Sequence, residues 1–177
     1  MAESVALKLE DYIRSIADFP KPGIVFRDIT PLLGNAAAFH RAVMDLANPF
    51  RGKKLDVVAA AEARGFIFAA PVALELNAAL VPIRKPKKLP GKTLSHTYDL
   101  EYGSDTLEIH ADAIREGARV LVVDDLLATG GTVEACCRLV EKAGGVVVGC
   151  AFLIELTGFK GAQRIAEYQT VSLIKYP

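Results

Sequence analysis

Residues 121–132 read Leu-Val-Val-Asp-Asp-Leu-Leu-Ala-Thr-Gly-Gly-Thr. The string begins on a continuous apolar run, the texture of a parallel strand covered by helices on both faces. Asp124 and Asp125 end that run, and a Gly/Thr loop then opens a helical pattern over 132–143. Strand, loop and helix in that order form the repeating unit of an α/β sheet, whose ligands bind at the carboxyl ends of the strands. The loop Ala128, Thr129, Gly130, Gly131, Thr132 offers consecutive backbone N–H groups at a helix N-terminus, a setting that suits an anion. Two threonine hydroxyls add donors, and two glycines let the backbone approach a phosphate closely. Carboxylates beside such a site make sense if the ligand also carries hydroxyls, as ribose 5-phosphate does. An acidic pair alone can be a solvated strand cap; the specificity lies in the whole string.

The same texture extends outward. Short apolar runs predict strands over 55–61, 79–84, 119–124, 146–155 and 170–175, with helices over 65–76, 132–143 and 159–167. Upstream, Val5, Leu9, Ile13 and Ile16 recur at helical spacing, predicting an amphipathic helix over 4–17. Asp18–Gly34 is dense in turn formers and predicts no regular element, although Ile24, Val25 and Phe26 exceed what a linker needs. Asn35 caps a further helix whose buried face carries Phe39, Val43, Leu46, Ala47 and Phe50. Residues 93–110 alternate at period two around Gly-Ser-Asp, with Leu94, His96, Tyr98, Leu100 and Tyr102, then Leu107 and Ile109. They predict an antiparallel hairpin inserted between parallel strands, placed to act as a lid.

Composition bounds the function. The chain has 177 residues, 51% hydrophobic, with 21 basic side chains balanced by 21 acidic ones. That predicts a single domain over 1–177 with a real core, and it excludes general disorder. Zero net charge argues against bulk nucleic-acid binding. The longest strongly apolar run, Gly144–Ile154, is far below the roughly 20 residues of a membrane span. The N-terminus lacks a signal-peptide layout. Cys136, Cys137 and Cys150 form neither a disulfide framework nor a CxxC pair. These features predict a cytoplasmic protein with reduced thiols and no membrane partner. GxxxxGK[ST], GxGxxG, HExxH and GxSxG are all absent, and His40, His96 and His110 lack metal-ligand spacing.

The 121–132 string resembles the phosphoribosyl pyrophosphate (PRPP) loop of type I phosphoribosyltransferases. Nearly the whole chain is similar to the adenine-specific members of that family. Matching pieces are Phe19-Pro-Lys-Pro-Gly-Ile-Val-Phe-Arg-Asp28, Glu62-Ala-Arg-Gly-Phe66, Arg84-Lys85 with Lys88-Leu-Pro90, Leu100-Glu-Tyr-Gly103 and Glu155-Leu-Thr157. The resemblance implies an open, mainly parallel five-stranded sheet flanked by helices, with an N-terminal hood over 1–34, a hairpin lid over 93–110 and a homodimer. It implies a purine-salvage reaction of adenine with PRPP, giving AMP and pyrophosphate, with Mg2+ carried by PRPP and reached through water by Asp124 and Asp125.

Roles follow from the resemblance residue by residue. Asp124 and Asp125 would take the ribose hydroxyls, and Ala128, Thr129, Gly130, Gly131 and Thr132 the 5-phosphate. Glu62, Ala63 and Arg64 would bind pyrophosphate, with a non-proline cis peptide expected between Glu62 and Ala63. Arg84 and Lys88 would join them from the basic stretch 84–92, which holds five cations and no acid. Without the resemblance, that stretch reads equally as a solvated loop and Arg64 as an ordinary surface arginine. Phe26 would stack on adenine, Val25 and Arg27 would engage its edge, and Leu156 would cover the other face; on composition alone Phe26 could be core. Glu101 and Tyr102 at the hairpin tip would handle a proton at purine N7 and exclude water. Two positions depart from the family pattern, Ala69 and Lys87, each standing where glycine is common. A transferase for another base, such as xanthine or orotate, would share the loop but need a different hood. A PRPP-sensing regulator would carry an added nucleic-acid module and lose the lid residues.

Overall fold

The structure is a computed structural model, which describes residues 7–99 and 103–177 of the chain, with the side chain of Asp99 excluded. The chain divides into two compact units, residues 1–45 and 46–177.

The first unit departs from the expected helix over 4–17. Among the described residues it holds a 3-10 turn at Leu9–Tyr12 and then strand β1, Arg14–Ala17. The stretch expected to be irregular contains strand β2, Val25–Asp28, and helix α1, Thr30–Leu33. β1 and β2 pair antiparallel, with Arg14 opposite Asp28 and Ile16 opposite Phe26. The cause is a long-range pairing that a local period does not register. Arg14 Nη2 lies 2.6 Å from Asp28 Oδ2, and the Thr30 amide donates to Asp28 Oδ1 at 2.9 Å. The Thr30 amide, then Arg14, hold the Asp28 carboxyl down to about 2. Helix α2, Ala36–Ala47, begins as expected, with Ala38 N donating to Asn35 Oδ1 at 3.0 Å.

The second unit is built on a five-stranded sheet. Its strands are β3 (Val57–Ala61), β4 (Ala79–Ile83), β7 (Arg119–Leu127), β8 (Val146–Leu156) and β9 (Thr170–Tyr176). Their spatial order is β4-β3-β7-β8-β9, and every neighbouring pair is parallel. β3 is buried throughout, and β8 is buried from Gly149 to Glu155, as their unbroken apolar runs require. β4 is an edge strand and carries Pro82, tolerated there because proline has no N–H to donate and an edge strand has one side that needs no ladder donor. Helix α3 (Gly65–Glu75) joins β3 to β4, and helix α4 (Gly131–Lys142) joins β7 to β8. The two crossovers leave the β3–β7 pair in opposite directions, so the carboxyl ends of those two strands flank the crevice where such sheets bind ligands. The helix expected over 159–167 is reduced to a 3-10 turn, Thr157–Phe159, and helix α5, Gly161–Arg164. Among the described residues, no helix is long and apolar enough to cross a membrane.

The inserted hairpin is strand β5 (Thr93–Asp99) against strand β6 (Ser104–His110), in register from Thr93–His110 to Asp99–Ser104. Its base is built into the core: Tyr98, Leu107 and Ile109 are buried with the sheet and α4. Leu100, Glu101 and Tyr102 lie outside the described residues.

One close contact fixes the far side of the sheet. The β7–β8 register shifts between Val120 and Leu121, which leaves Val148 unpaired before Gly149. A Cβ on Gly149 would stand 2.7 Å from Phe50 Cε1 and 2.8 Å from the Gln169 carbonyl oxygen. Gly149→Ala is therefore expected to destabilise the protein by about 1–3 kcal/mol by overpacking, against the small gain that a Gly-to-Ala change gives by restricting the unfolded chain. Urea unfolding checks both sign and size.

Candidate active site

Every group on the crevice comes from the end of a strand or the loop behind it. A cavity of about 460 Å³ runs from Glu62, Ala63 and Arg64 past Asp124 and Asp125 to the loop Ala128–Thr132. The strands bring these segments together although more than fifty residues separate them in the chain.

At the β3 end, the Glu62–Ala63 peptide bond is cis, as the resemblance implied. Glu62 is tied to the following loop, accepting from Lys85 N at 2.5 Å and from Arg84 Nη2 at 3.2 Å. The Lys85 amide, with Arg84 behind it, holds the Glu62 carboxyl below its ordinary value against the effect of burial. Arg84 also forms an antiparallel bridge with Glu108 of β6. The basic stretch is thus fastened to both the β3 loop and the hairpin, with Lys85 Nζ 3.2 Å from Asp105 Oδ2. Lys87 takes φ 67° and donates its amide to Glu108, a left-handed conformation that explains why glycine is common there. Ala69 is fully buried in α3. Lys88 lies on the same stretch, its amide donating to the Lys85 carbonyl at 3.3 Å.

At the β7 end, Asp125 is buried and its Oδ2 lies 3.0 Å from Arg64 Nε. Asp124 Oδ1 accepts from the Asp125 amide at 2.8 Å. A Cβ on Gly65 would stand 2.8 Å from that same oxygen, so the first residue of α3 is small because a carboxylate occupies the space beside it. Burial, then the neighbouring Asp125, push the Asp124 carboxyl well above its ordinary value. Burial also raises Asp125, with Arg64 opposing. Two crowded carboxylates with upward-shifted titration favour a partner that brings hydrogen-bond donors or positive charge.

The loop beyond them has the anion-site geometry. Gly130, at φ 81°, is the N-cap of α4, a helix of 12 residues. Tyr98 Oη lies 3.3 Å from Thr132 Oγ1, and the Tyr98 ring lies beside Gly131. Tyr98 therefore joins the hairpin base to the loop, a contact that sequence reading recorded only as one more apolar position at period two.

The remaining expected residues are placed as follows. Leu156 ends β8, at the same carboxyl edge of the sheet. Val25, Phe26 and Arg27 come together on β2 of the first unit, where Phe26 meets Phe19 edge to face at 5.2 Å and Arg27 Nη1 donates to Ser15 Oγ at 2.5 Å. Glu101 and Tyr102 fall outside the described residues. A buried carboxylate not assigned a role from sequence, Glu155, stands beside Leu156 with Lys175 Nζ at 3.3 Å; its only signal was its place at the end of an apolar run.

The comparisons with known proteins agree with this geometry. A family model described as a phosphoribosyl transferase domain matches residues 33–175. The chain is 57% identical over 170 residues to the adenine phosphoribosyltransferase of Rhodopirellula baltica, covering 96% of this chain and 82% of that one. The chain belongs to the adenine phosphoribosyltransferase family. Among solved structures of this family, the enzyme of Thermoanaerobacter pseudethanolicus is 53% identical with a TM-score of 0.92, covering 96% of this chain and all (100%) of that one. The Saccharomyces cerevisiae enzyme, solved with an imino-altritol bisphosphate and adenine, is 36% identical with a TM-score of 0.88, over 93% and 96% of the two chains.

The Arg64–Asp125 pair gives a stability prediction with a definite sign. Without Arg64, the folded-state value of Asp125 rises further above its ordinary 3.8. A carboxyl raised in the fold is a cost only above the pH at which the unfolded chain ionises. The deficit of Arg64→Ala is therefore absent where Asp125 is protonated in both folded proteins. It develops as pH rises from the wild-type folded value to the higher one of the variant, and is constant above it. At neutral pH it amounts to about 1–2 kcal/mol, less than a fully buried pair because solvent screens the half-exposed guanidinium. Urea titrations of both proteins across the acid-to-neutral range measure it.

Proposed function

We propose that the protein transfers the 5-phosphoribosyl group of PRPP to N9 of adenine, giving AMP and pyrophosphate. One observation carries this reading: a phosphate loop, a carboxylate pair and a cation-bearing loop line a single cavity at the β3–β7 junction, each matched to one part of PRPP. The family's adenine-named members and the yeast structure with adenine bound support the choice of base.

The reaction follows from the chemistry of these groups. Amides and hydroxyls of Ala128, Thr129, Gly130, Gly131 and Thr132 hold the 5-phosphate at the α4 N-terminus. Asp124 and Asp125 accept hydrogen bonds from the 2- and 3-hydroxyls and hold C1 in place. Arg64, Arg84 and Lys88, with the backbone at Glu62 and Ala63, receive the departing diphosphate. N9 forms its bond to C1 as the C1–O bond breaks and the electron pair leaves with pyrophosphate, through an oxocarbenium-like state. Phe26 stacks on the purine, Val25 and Arg27 engage its edge, and Leu156 covers the opposite face. Glu101 accepts the proton that adenine gives up at N7, and Tyr102 closes the site against water.

The donor set suits magnesium brought in by PRPP. Among the described residues no group of three or more His, Cys, Asp or Glu side chains is arranged to hold a metal ion, while Asp124 and Asp125 offer hard oxygen atoms at the cavity edge. Bound Mg2+ neutralises charge on the diphosphate; Asp124 and Asp125 would reach it through water. We read the protein as a cytoplasmic homodimer with 1–34 as hood and 93–110 as lid. Three buried cysteines outside any disulfide support the compartment, and exposed Ile67, Leu74 and Leu80 on α3 and β4 support a partner surface.

Incubation with PRPP, Mg2+ and a panel of purines should yield AMP from adenine, with little product from hypoxanthine, guanine or xanthine. Failure to form AMP would sink the reading. Glu101→Gln should lower kcat about 10²- to 10⁴-fold with little change in adenine affinity, and unchanged turnover would remove Glu101 from the mechanism.

A further inference from the structure

The turn that follows β8 touches the phosphate loop from behind, and the contact is backbone on backbone. The chain passes through Lys160, itself left-handed at φ 57°, into Gly161 at the start of α5. A Cβ on Gly161 would stand 2.1 Å from the Ala128 carbonyl oxygen and 2.9 Å from Gly130 N. The constraint is mutual, since a Cβ on Gly130 would stand 2.8 Å from the Gly161 carbonyl oxygen. Gly130 also needs its φ of 81°, whereas Gly161 is absent from the left-handed positions. Gly161 is therefore glycine for proximity alone. The hydrogen that replaces its Cβ points at the Ala128 carbonyl, a weak C–H···O contact that closes the loop's rear edge.

A second feature ties this turn to the site. The Cβ of Arg164 lies 3.3 Å from where a Gly130 Cβ would be, and its Nη1 lies 3.5 Å from the corresponding point on Gly131. Its Nε pairs with Glu134, in the first turn of α4. The turn that backs the loop is thereby clamped to the helix that the loop opens.

We propose that Gly161 is a positioning residue for the phosphate of the substrate. It fixes the loop Ala128–Thr132 by direct backbone contact, with the Arg164–Glu134 pair holding the turn in place. Anion binding by backbone amides depends on where the loop sits, so a side chain at 161 moves the phosphate without touching any group assigned to adenine or the diphosphate. The identity of the ligand rests on the reading under Proposed function; the contact itself does not.

Gly161→Ala must push Ala128 and Gly130 aside. The KM for PRPP is expected to rise about 10- to 100-fold, as for an ångström-scale misplacement, while the KM for adenine stays within about twofold. Calorimetric binding of ribose 5-phosphate should weaken in parallel. Gln163→Ala, exposed on the same turn, should change none of these. A folded Gly161→Ala protein with wild-type KM for PRPP overturns the proposal, as does an equal loss for both substrates with ribose 5-phosphate binding intact. If Gly161→Ala does not fold, Arg164→Ala carries the test: its KM for PRPP should rise about threefold with that for adenine unchanged, and an unchanged PRPP value overturns the proposal. Failure of the parent reading is distinct, because wild-type protein would then form no AMP while the ribose 5-phosphate comparison still decides on Gly161. Wild-type protein that binds no ribose 5-phosphate overturns both.

Discussion

The adjacency of β3 and β7 is the constraint on which the site depends. The two strands run parallel, Val57 beside Val120 through Ala59 beside Val122, and deliver their carboxyl ends to the same edge. From there the chain leaves in opposite directions, through α3 toward β4 and through α4 toward β8. The ends cannot be covered by either crossover, so a crevice is left open by topology. Arg64 reaches Asp125 across it at 3.0 Å, and Gly65 leaves room for Asp124. Each side therefore sets the other's position before any substrate arrives.

Cations and carboxylates around the crevice come from different loops and pair between them. Cations on 84–92 are tied to the β3 loop and the hairpin through Glu62, Asp105 and Glu108. Asp125 is buried and Asp124 half-buried, and desolvation shifts both carboxyls upward. A molecule with a diphosphate at one end and vicinal hydroxyls in the middle satisfies both regions at once. Zero net charge over the whole chain argues against bulk nucleic-acid binding yet is compatible with this local separation. The loop beyond the carboxylates contributes dipoles rather than charge, and its precision comes from close packing of Gly130 on Gly161.

The parallel strands were legible because each is built on a short apolar stretch between turn formers, unbroken in β3 and interrupted by Ser172 in β9, and the hairpin because its alternation is local. The carboxylate pair and the Gly/Thr loop could be read together because they are contiguous. β1 and β2 could not. Ile13 and Ile16 fit a helical period equally well, and the Arg14–Asp28 contact that decides for a strand spans about a third of the first unit. Arg84 and Glu62 were both singled out, but their contact depends on β3 and β4 being neighbours. Gly161 was invisible for the same reason. Nothing near it in sequence shows that a carbonyl more than thirty residues earlier occupies the space of its Cβ.

The central claim is that one end of the crevice holds a phosphate and the carboxylates hold the adjoining ribose. A crystal structure of the protein with AMP tests it most directly. The account predicts phosphate oxygens hydrogen-bonded to amides of Ala128–Thr132 and ribose hydroxyls on Asp124 and Asp125. A phosphate seated instead on Glu62–Arg64, with the ribose turned away from both carboxylates, would contradict it.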